Sequence, residues 1–167
     1  MTSVNIHASC VVLAEAGRSF GAPAHAGILL LGESGAGKSD IALRLIERGA
    51  VLVADDRAEL FVREKSLWAR APASLAGLIE LRGVGIVALP HREEARIGLA
   101  VMLSPPESVP RLPGEEHYAP PVALAVPESA WPPLLRLAAF EESAPAKIMA
   151  ASAAYADTLF RDNHNPK

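Results

Sequence analysis

The sequence predicts an α/β fold, and three features of residues 27–54 support this prediction. Gly27–Leu31 is a continuous apolar run with the length and composition of a strand that is buried on both faces. Residues 38–48 carry apolar side chains at helical spacing and are followed by Gly49, the residue type that commonly ends a helix. Val51–Ala54 is a second apolar run, and it ends in two acids. A strand, a helix and a strand of these lengths predict a parallel pair of strands with a right-handed crossover.

The residues on either side of this unit predict further strands. Residues 4–13 are apolar and partly β-branched, which predicts one strand, and the glycine and proline of residues 17–23 predict a turn that folds it as a hairpin onto the next strand. Beyond residue 57 the apolar pattern predicts short strands over residues 59–63, 67–69, 86–89 and 97–102.

A proline-rich segment comes next in the chain. Residues 104–133 contain nine of the fourteen prolines, which excludes long helices and predicts a surface lid or linker with one strand over residues 122–126. Ser143 as N-cap and Pro145 at an early helical position predict a last helix over about residues 144–160. We expect a single domain over residues 1–160 and a disordered tail over residues 161–167.

The composition argues against several classes of protein. A formal net charge of -3 and a pI near 5.9 provide no basic field, so we expect no general nucleic-acid binding. The longest apolar run, residues 26–32, is too short to span a bilayer, and no leader pattern follows Met1. We therefore expect a cytoplasmic protein with no membrane partner. The single cysteine, Cys10, excludes an intramolecular disulfide, and its apolar neighbours predict that it only packs.

The segment between the first apolar run and the helix matches the Walker A pattern. It reads Gly32, Glu33, Ser34, Gly35, Ala36, Gly37, Lys38 and Ser39. The glycines let backbone N–H groups converge on phosphate oxygens, and the helix N-terminus adds a positive dipole. The pattern predicts a P-loop that binds ATP and Mg²⁺, with Lys38 at the β- and γ-phosphates and Ser39 at the metal. The alternative is a glycine-rich turn without a ligand, and the flanking strand and helix argue against it.

Two adjacent acids, Asp55 and Asp56, end the second apolar run. In a parallel sheet this position lies at the carboxyl edge, beside the phosphates. One carboxylate there can support Mg²⁺, and the other can accept a proton from an attacking hydroxyl. Adjacent strand residues point to opposite faces, so the sequence leaves open which acid reaches the metal, and a solvated turn is the alternative for both.

Glu80 and Arg82 place an acid and a base two residues apart, and Gly83 and Gly85 then permit a close backbone approach. Without the other motifs, an ordinary surface ion pair before a turn is the better explanation of these residues.

Three segments together resemble the catalytic domain of HPr kinase/phosphorylase, in order and in spacing. They are the Walker A loop, residues 52–56, and residues 78–86, of which the last is close to the signature of that family. The resemblance implies a P-loop core with a mixed β-sheet, a fold that the family shares with phosphoenolpyruvate carboxykinase.

The resemblance also implies roles for individual residues. The family aspartate that corresponds to Asp56 accepts the proton in the kinase reaction and donates it in phosphorolysis. The acid that corresponds to Glu80 joins the P-loop serine, here Ser39, around Mg²⁺. Asp55 is a further candidate metal ligand because of its place in the acidic pair at the sheet edge, independently of the resemblance. Lys38 is counted among the catalytic residues.

Two further candidates come from the same resemblance. Family members carry a histidine on the strand before the P-loop, and His7 resembles it, although His25 competes for this position. Taken alone, a histidine on an apolar strand is more often structural. Arg111 resembles a late catalytic arginine of the family, and its alternative is a solvated cation in a loop.

The sequence also departs from the family pattern. The strand with His7 begins almost at Met1, which resembles a short form that lacks the N-terminal domain. The proline-glycine-arginine-asparagine segment associated with phosphorolysis is not recognisable in residues 120–133, which leaves phosphorylase activity open. The resemblance implies an ATP- and Mg²⁺-dependent protein-serine kinase that acts on HPr or a related phosphocarrier and forms a homo-oligomer, a hexamer in the family. The alternatives are a P-loop kinase for a small metabolite and a non-catalytic ATP-sensing module.

Overall fold

A computed structural model describes residues 1–157 of the chain. Its strands are β1 (Ser3–His7), β2 (Ser9–Val12), β3 (Gly27–Leu31), β4 (Val51–Ala54), β5 (Arg57–Arg63), β6 (Ser66–Arg70), β7 (Leu78–Leu81), β8 (Gly85–Ala88), β9 (Glu94–Leu103) and β10 (Leu134–Leu137). Its α-helices are α1 (Lys38–Glu47) and α2 (Ala144–Asp157). The predicted tail and the end of the predicted last helix lie outside the described residues.

Most of the strands form one mixed sheet, which confirms the predicted α/β class. The order is β1-β5-β6-β9-β3-β2-β4, with β10 parallel to β9, and β7 and β8 form a separate hairpin. The predicted parallel pair of β3 and β4 is wrong in one respect. The two strands run in the same direction, but β2 lies between them and is antiparallel to both. The strand-helix-strand pattern fixes the relative direction of β3 and β4, but it does not fix whether they are neighbours. The hairpin of β2 and β3 places β2 beside β3, in the position predicted for β4.

The segment before the P-loop unit differs from the prediction. Residues 4–13 form two strands, because the chain leaves one pairing partner for another at Ala8. β1 pairs with β5, whereas β2 pairs with β3 and β4. The main-chain N–H of Ala8 donates to the carbonyl of Asp56, at 3.1 Å, where the two pairings meet.

Two predictions in the second half of the chain are corrected. Residues 122–126 do not form a strand: Val122–Leu124 is a short 3₁₀ turn after Pro121, and Ala125 has a φ of 51°, outside the β region. A strand that the proline-rich pattern concealed, β10, begins directly after Pro133 and pairs with β9. The other predicted strands are present with bounds that shift by a few residues.

The hydrophobic core lies on both faces of the sheet, and β3 is buried throughout. On one face Ile28 and Leu30 belong to a cluster with Ile41 and Leu45 of α1. On the other face lies a second cluster, which includes Leu29. This double burial explains why Gly27–Leu31 shows no alternation of polar residues. Within the described residues, no helix has the length and apolar character needed to cross a membrane.

Candidate active site

The Walker A residues form a loop that leads from the end of β3 to the start of α1. Gly32 has a φ of 149° and Gly37 a φ of 102°, a region that residues with a side chain rarely adopt. A Cβ atom at Gly37 would lie 2.7 Å from the Cβ of Ala139, so the loop also needs glycine there for space. Helix α1 begins at Lys38, and its first N–H groups are therefore at the loop. This arrangement can bind an anion.

Lys38 lies across this loop. Its Nζ donates hydrogen bonds to the carbonyl oxygens of Gly32, at 2.8 Å, and Glu33, at 2.9 Å, and the residue is only 5% exposed. Burial lowers the pKa of Lys38, and the carboxylates of Asp56 and Asp55 act in the opposite direction. The ammonium group of Lys38 is thus held at the loop by two carbonyl oxygens, and the oxygens of a bound phosphate could accept its hydrogen bonds instead.

Asp55 is a buried carboxylate, 6% exposed, and it joins three segments of the chain. Its Oδ1 accepts hydrogen bonds from the hydroxyls of Ser39, at 2.6 Å, and Ser9, at 2.9 Å. Its Oδ2 accepts a hydrogen bond from the main-chain N–H of Glu80, at 3.1 Å. The P-loop serine and the carboxylate are therefore adjacent.

Mg²⁺ prefers oxygen ligands and commonly takes one or two protein groups together with phosphate oxygens. The hydroxyl of Ser39 and the carboxylate of Asp55 fit that requirement. Among residues 1–157 no group of three or more acidic, histidine or cysteine side chains could hold a metal ion alone.

Asp56 lies at the centre of a strained turn. The N–H of Arg57 donates to the carbonyl of Asp55, at 2.7 Å, which closes a three-residue turn around Asp56. The φ of Asp56 is 64°, so this is a γ-turn of the rare hand. Strain of this kind persists only where surrounding contacts enforce it, and it is concentrated at functional sites.

Residues 7–9, at the junction of β1 and β2, enforce this turn. The Nε2 of His7 lies 2.7 Å from Oδ1 of Asp56, a hydrogen-bond distance. Ala8 donates its N–H to the carbonyl of Asp56, and the N–H of Asp56 donates to the hydroxyl of Ser9, at 3.1 Å. The side chain of Asp56 remains 60% exposed. The two adjacent acids therefore face different surroundings, Asp55 inside the site and Asp56 at its solvent side.

Glu80 contributes its main chain to the site, and its side chain is exposed. The alternative of an ion pair with Arg82 is not formed in the described structure, in which the Glu80 carboxylate has no hydrogen bond. Arg111 lies in the proline-rich segment with an exposed side chain, and it bonds none of the other candidates among residues 1–157. His25 is exposed before β3, so the contact with Asp56 distinguishes His7 from its competitor.

Ser9 is the site residue that the sequence reasoning missed. It is fully buried, and its hydroxyl donates to Asp55 and accepts from the N–H of Asp56, so it links the two acids. A hydroxyl inside an apolar strand was the available signal, because a buried hydroxyl requires a partner.

The fold and the site define an α/β protein with a Walker A loop between a buried strand and its helix, and with an acidic pair at the same edge of the sheet. The family described as HPr Serine kinase C-terminal domain matches residues 23–107. The chain belongs to this family.

Individual relatives agree with this assignment. The chain is 36% identical over 153 residues to the HPr kinase/phosphorylase of Lactiplantibacillus plantarum, a match that covers 83% of this chain and 49% of that protein. It is 46% identical over 85 residues to the protein of the same name from Caldicellulosiruptor bescii, which covers 46% of this chain and 27% of that protein. The chain thus spans half or less of the length of these relatives.

A solved structure shares the fold. The Hpr(Ser) kinase/phosphatase from Coxiella burnetii superposes with a TM-score of 0.72 at 22% identity, and the match covers 93% of this chain and 98% of that chain.

Proposed function

We propose that this chain is the catalytic part of a protein-serine kinase that uses ATP and Mg²⁺ to phosphorylate HPr or a related phosphocarrier of the phosphotransferase system. Membership of the HPr serine kinase family and the names of its relatives support this activity. The observation that carries the proposal is one continuous series of hydrogen bonds, from Ser39 through Asp55, Ser9 and Asp56 to His7. It connects the phosphate loop to an exposed carboxylate.

The loop and Lys38 would bind the phosphates of ATP. The main-chain N–H groups at the start of α1 would donate to phosphate oxygens, and Lys38 would exchange its carbonyl partners for the β- and γ-phosphates. Ser39 and Asp55 would hold Mg²⁺, and the exposed carboxylate of Glu80 would supply a further oxygen. A bound Mg²⁺ neutralises charge on the β- and γ-phosphate oxygens.

Asp56 would act on the acceptor. The serine oxygen of the phosphocarrier attacks the γ-phosphorus, the bond from that phosphorus to the bridging oxygen breaks, and ADP leaves. The hydroxyl proton passes to the carboxylate of Asp56, which is exposed and therefore accessible to a protein substrate. His7 orients this carboxylate through the 2.7 Å contact. Arg111, which is exposed in the proline-rich segment, would contact the transferred phosphoryl group. Hexamer formation and a cytoplasmic location remain predictions.

Transfer of label from γ-labelled ATP tests the proposal. With Mg²⁺ and an HPr-like phosphocarrier we expect acid-stable phosphoserine on the carrier, and none on a carrier whose acceptor serine is replaced by alanine. ATP binding without transfer to any carrier would instead favour the ATP-sensing alternative. Transfer to a small metabolite alone would favour a metabolite kinase.

A further inference from the structure

A cleft of about 790 Å³ opens beside the Walker A loop, and its lining does not include His7, Asp56 or Arg111. Its walls are residues 32–36 of the loop, residues 102–106 at the end of β9 and directly beyond it, and residues 138–141 after β10. β9 and β10 are parallel to β3, so all three strands end at the same edge of the sheet. Asp55 and Asp56 follow β4, which lies on the other side of β3. The cleft and the acidic pair therefore flank the loop on opposite sides.

The lining of this cleft favours a neutral, flat and apolar group. Met102, Pro105, Pro106 and Phe140 provide apolar surface. The charged side chains among the described residues that line the cleft are those of Glu33 and Glu141, and both are acidic. Two acids without a cation beside them disfavour the binding of a further anionic group. The volume is within the range of small-molecule sites.

Phe140 is the most informative residue of the cleft. It is 72% exposed, yet its segment is fixed. Arg44 of α1 donates from Nη1 to the carbonyl of Ala139, at 2.6 Å, and from Nη2 to the carbonyl of Glu141, at 2.7 Å. A Cβ atom at Gly37 would lie 3.1 Å from Cζ of the Phe140 ring, so the ring rests against the loop itself.

An exposed aromatic ring that is held in one place beside a phosphate-binding loop can stack with a flat ligand. Nucleobases stack on such rings whatever their hydrogen-bonding edge, because every base has a π-face. The helix that begins at the loop also supplies the guanidinium that fixes the platform, so the phosphate site and the platform have a defined separation.

We infer that this cleft binds the nucleoside end of ATP, with the base against the ring of Phe140. The inference rests on the proposed function, because it requires that the Walker A loop binds the triphosphate. In this orientation the γ-phosphate points to the side of Asp55 and Asp56, and the acceptor protein approaches without meeting the base.

Titration calorimetry with two ligands, ATP and inorganic tripolyphosphate, each with Mg²⁺, tests the inference. Phe140→Ala is expected to weaken ATP binding by at least about fivefold and to leave tripolyphosphate binding unchanged, because only ATP has a base to stack. Phe20→Ala is the matched control, since Phe20 is exposed as well but does not line the cleft. It should bind both ligands like wild type. Phe140→Trp should retain ATP affinity, and its added fluorescence should respond to ATP but not to tripolyphosphate.

Three results of these titrations would contradict the inference, and a fourth would contradict the proposed function. Unchanged ATP affinity in Phe140→Ala would overturn the inference, and equal losses for both ligands would make Phe140 a support of the loop only. Equal affinity of wild type for ATP and tripolyphosphate would also overturn it while leaving the phosphate site intact. If wild type bound neither ligand, the proposed function itself would fail.

Discussion

His7 and Asp56 are in contact, with Nε2 of the imidazole 2.7 Å from Oδ1 of the carboxylate, although 49 residues separate them in the chain. The contact depends on β1 and β5, which place His7 opposite Arg57 in their antiparallel register. Asp56 thus has one oxygen oriented by a ring and a side chain that remains accessible to solvent. This arrangement suits a base that must take a proton from another protein.

Asparagine substitutions of the two acids should separate their roles. Asp56→Asn keeps the shape but cannot take a proton, so phosphorylation of the acceptor should fall by about 10²- to 10⁴-fold while ATP affinity stays near wild type. Asp55→Asn is the matched variant and should lower Mg²⁺-dependent ATP affinity. Calorimetry beside acceptor phosphorylation measures both. Equal phosphorylation by wild type and Asp56→Asn would exclude Asp56 as the base.

Ser9→Ala should disturb the turn at Asp56 and leave the binding of ATP largely unchanged. It removes a donor to Asp55 and leaves the N–H of Asp56 without its partner, so the free energy of unfolding should fall by about 1–3 kcal/mol. We expect kcat to fall while the KM for ATP changes little, because Asp55 keeps its hydrogen bonds from Ser39 and from the main chain of Glu80. Ser152→Ala, at another buried serine, is the control. A loss of stability with an unchanged kcat would reduce Ser9 to a structural role.

Glu80→Gln should raise the Mg²⁺ concentration needed for half-maximal ATP binding and leave metal-free nucleotide binding unchanged, because a hard carboxylate ligand is lost. The contact from the main chain of Glu80 to Asp55 is retained in this variant. Glu47→Gln changes an exposed acid at the far end of α1 and controls for net charge. Identical Mg²⁺ titrations for the two variants would show that the Glu80 carboxylate is an exposed surface group and not a metal ligand.

The thiol of Cys10 predicts a pH dependence of stability. Complete burial raises its pKa from 9.0 to about 12. Between these values the unfolded chain has released the proton and the folded chain has not, so the free energy of unfolding falls as pH rises. From about pH 9 to about pH 11, the difference between wild type and Cys10→Ala should change by about 1 kcal/mol per pH unit in urea unfolding. Parallel curves for the two proteins would contradict the shift. The native thiol should also resist thiol reagents at neutral pH.

The sequence by itself determined the unit of strand, loop and helix. β3, α1 and β4 lie where the apolar runs and the helical spacing predict them, and the Walker A residues lie between the first two. Each of these features depends on residues a few positions apart, so periodicity and glycine placement are sufficient to predict them. The same pattern predicted that acids would lie at the carboxyl edge of the sheet.

The tertiary structure alone decided which segments meet at that edge. β2 lies between β3 and β4, Asp55 contacts Ser39, and Asp56 contacts His7 instead. Tertiary structure also decided three further features: the break at Ala8, the role of Ser9 and the cleft beside Phe140. Each depends on contacts between segments that are far apart in the chain. The local pattern of a strand is compatible with several neighbours, and only the packing of the whole sheet selects one of them.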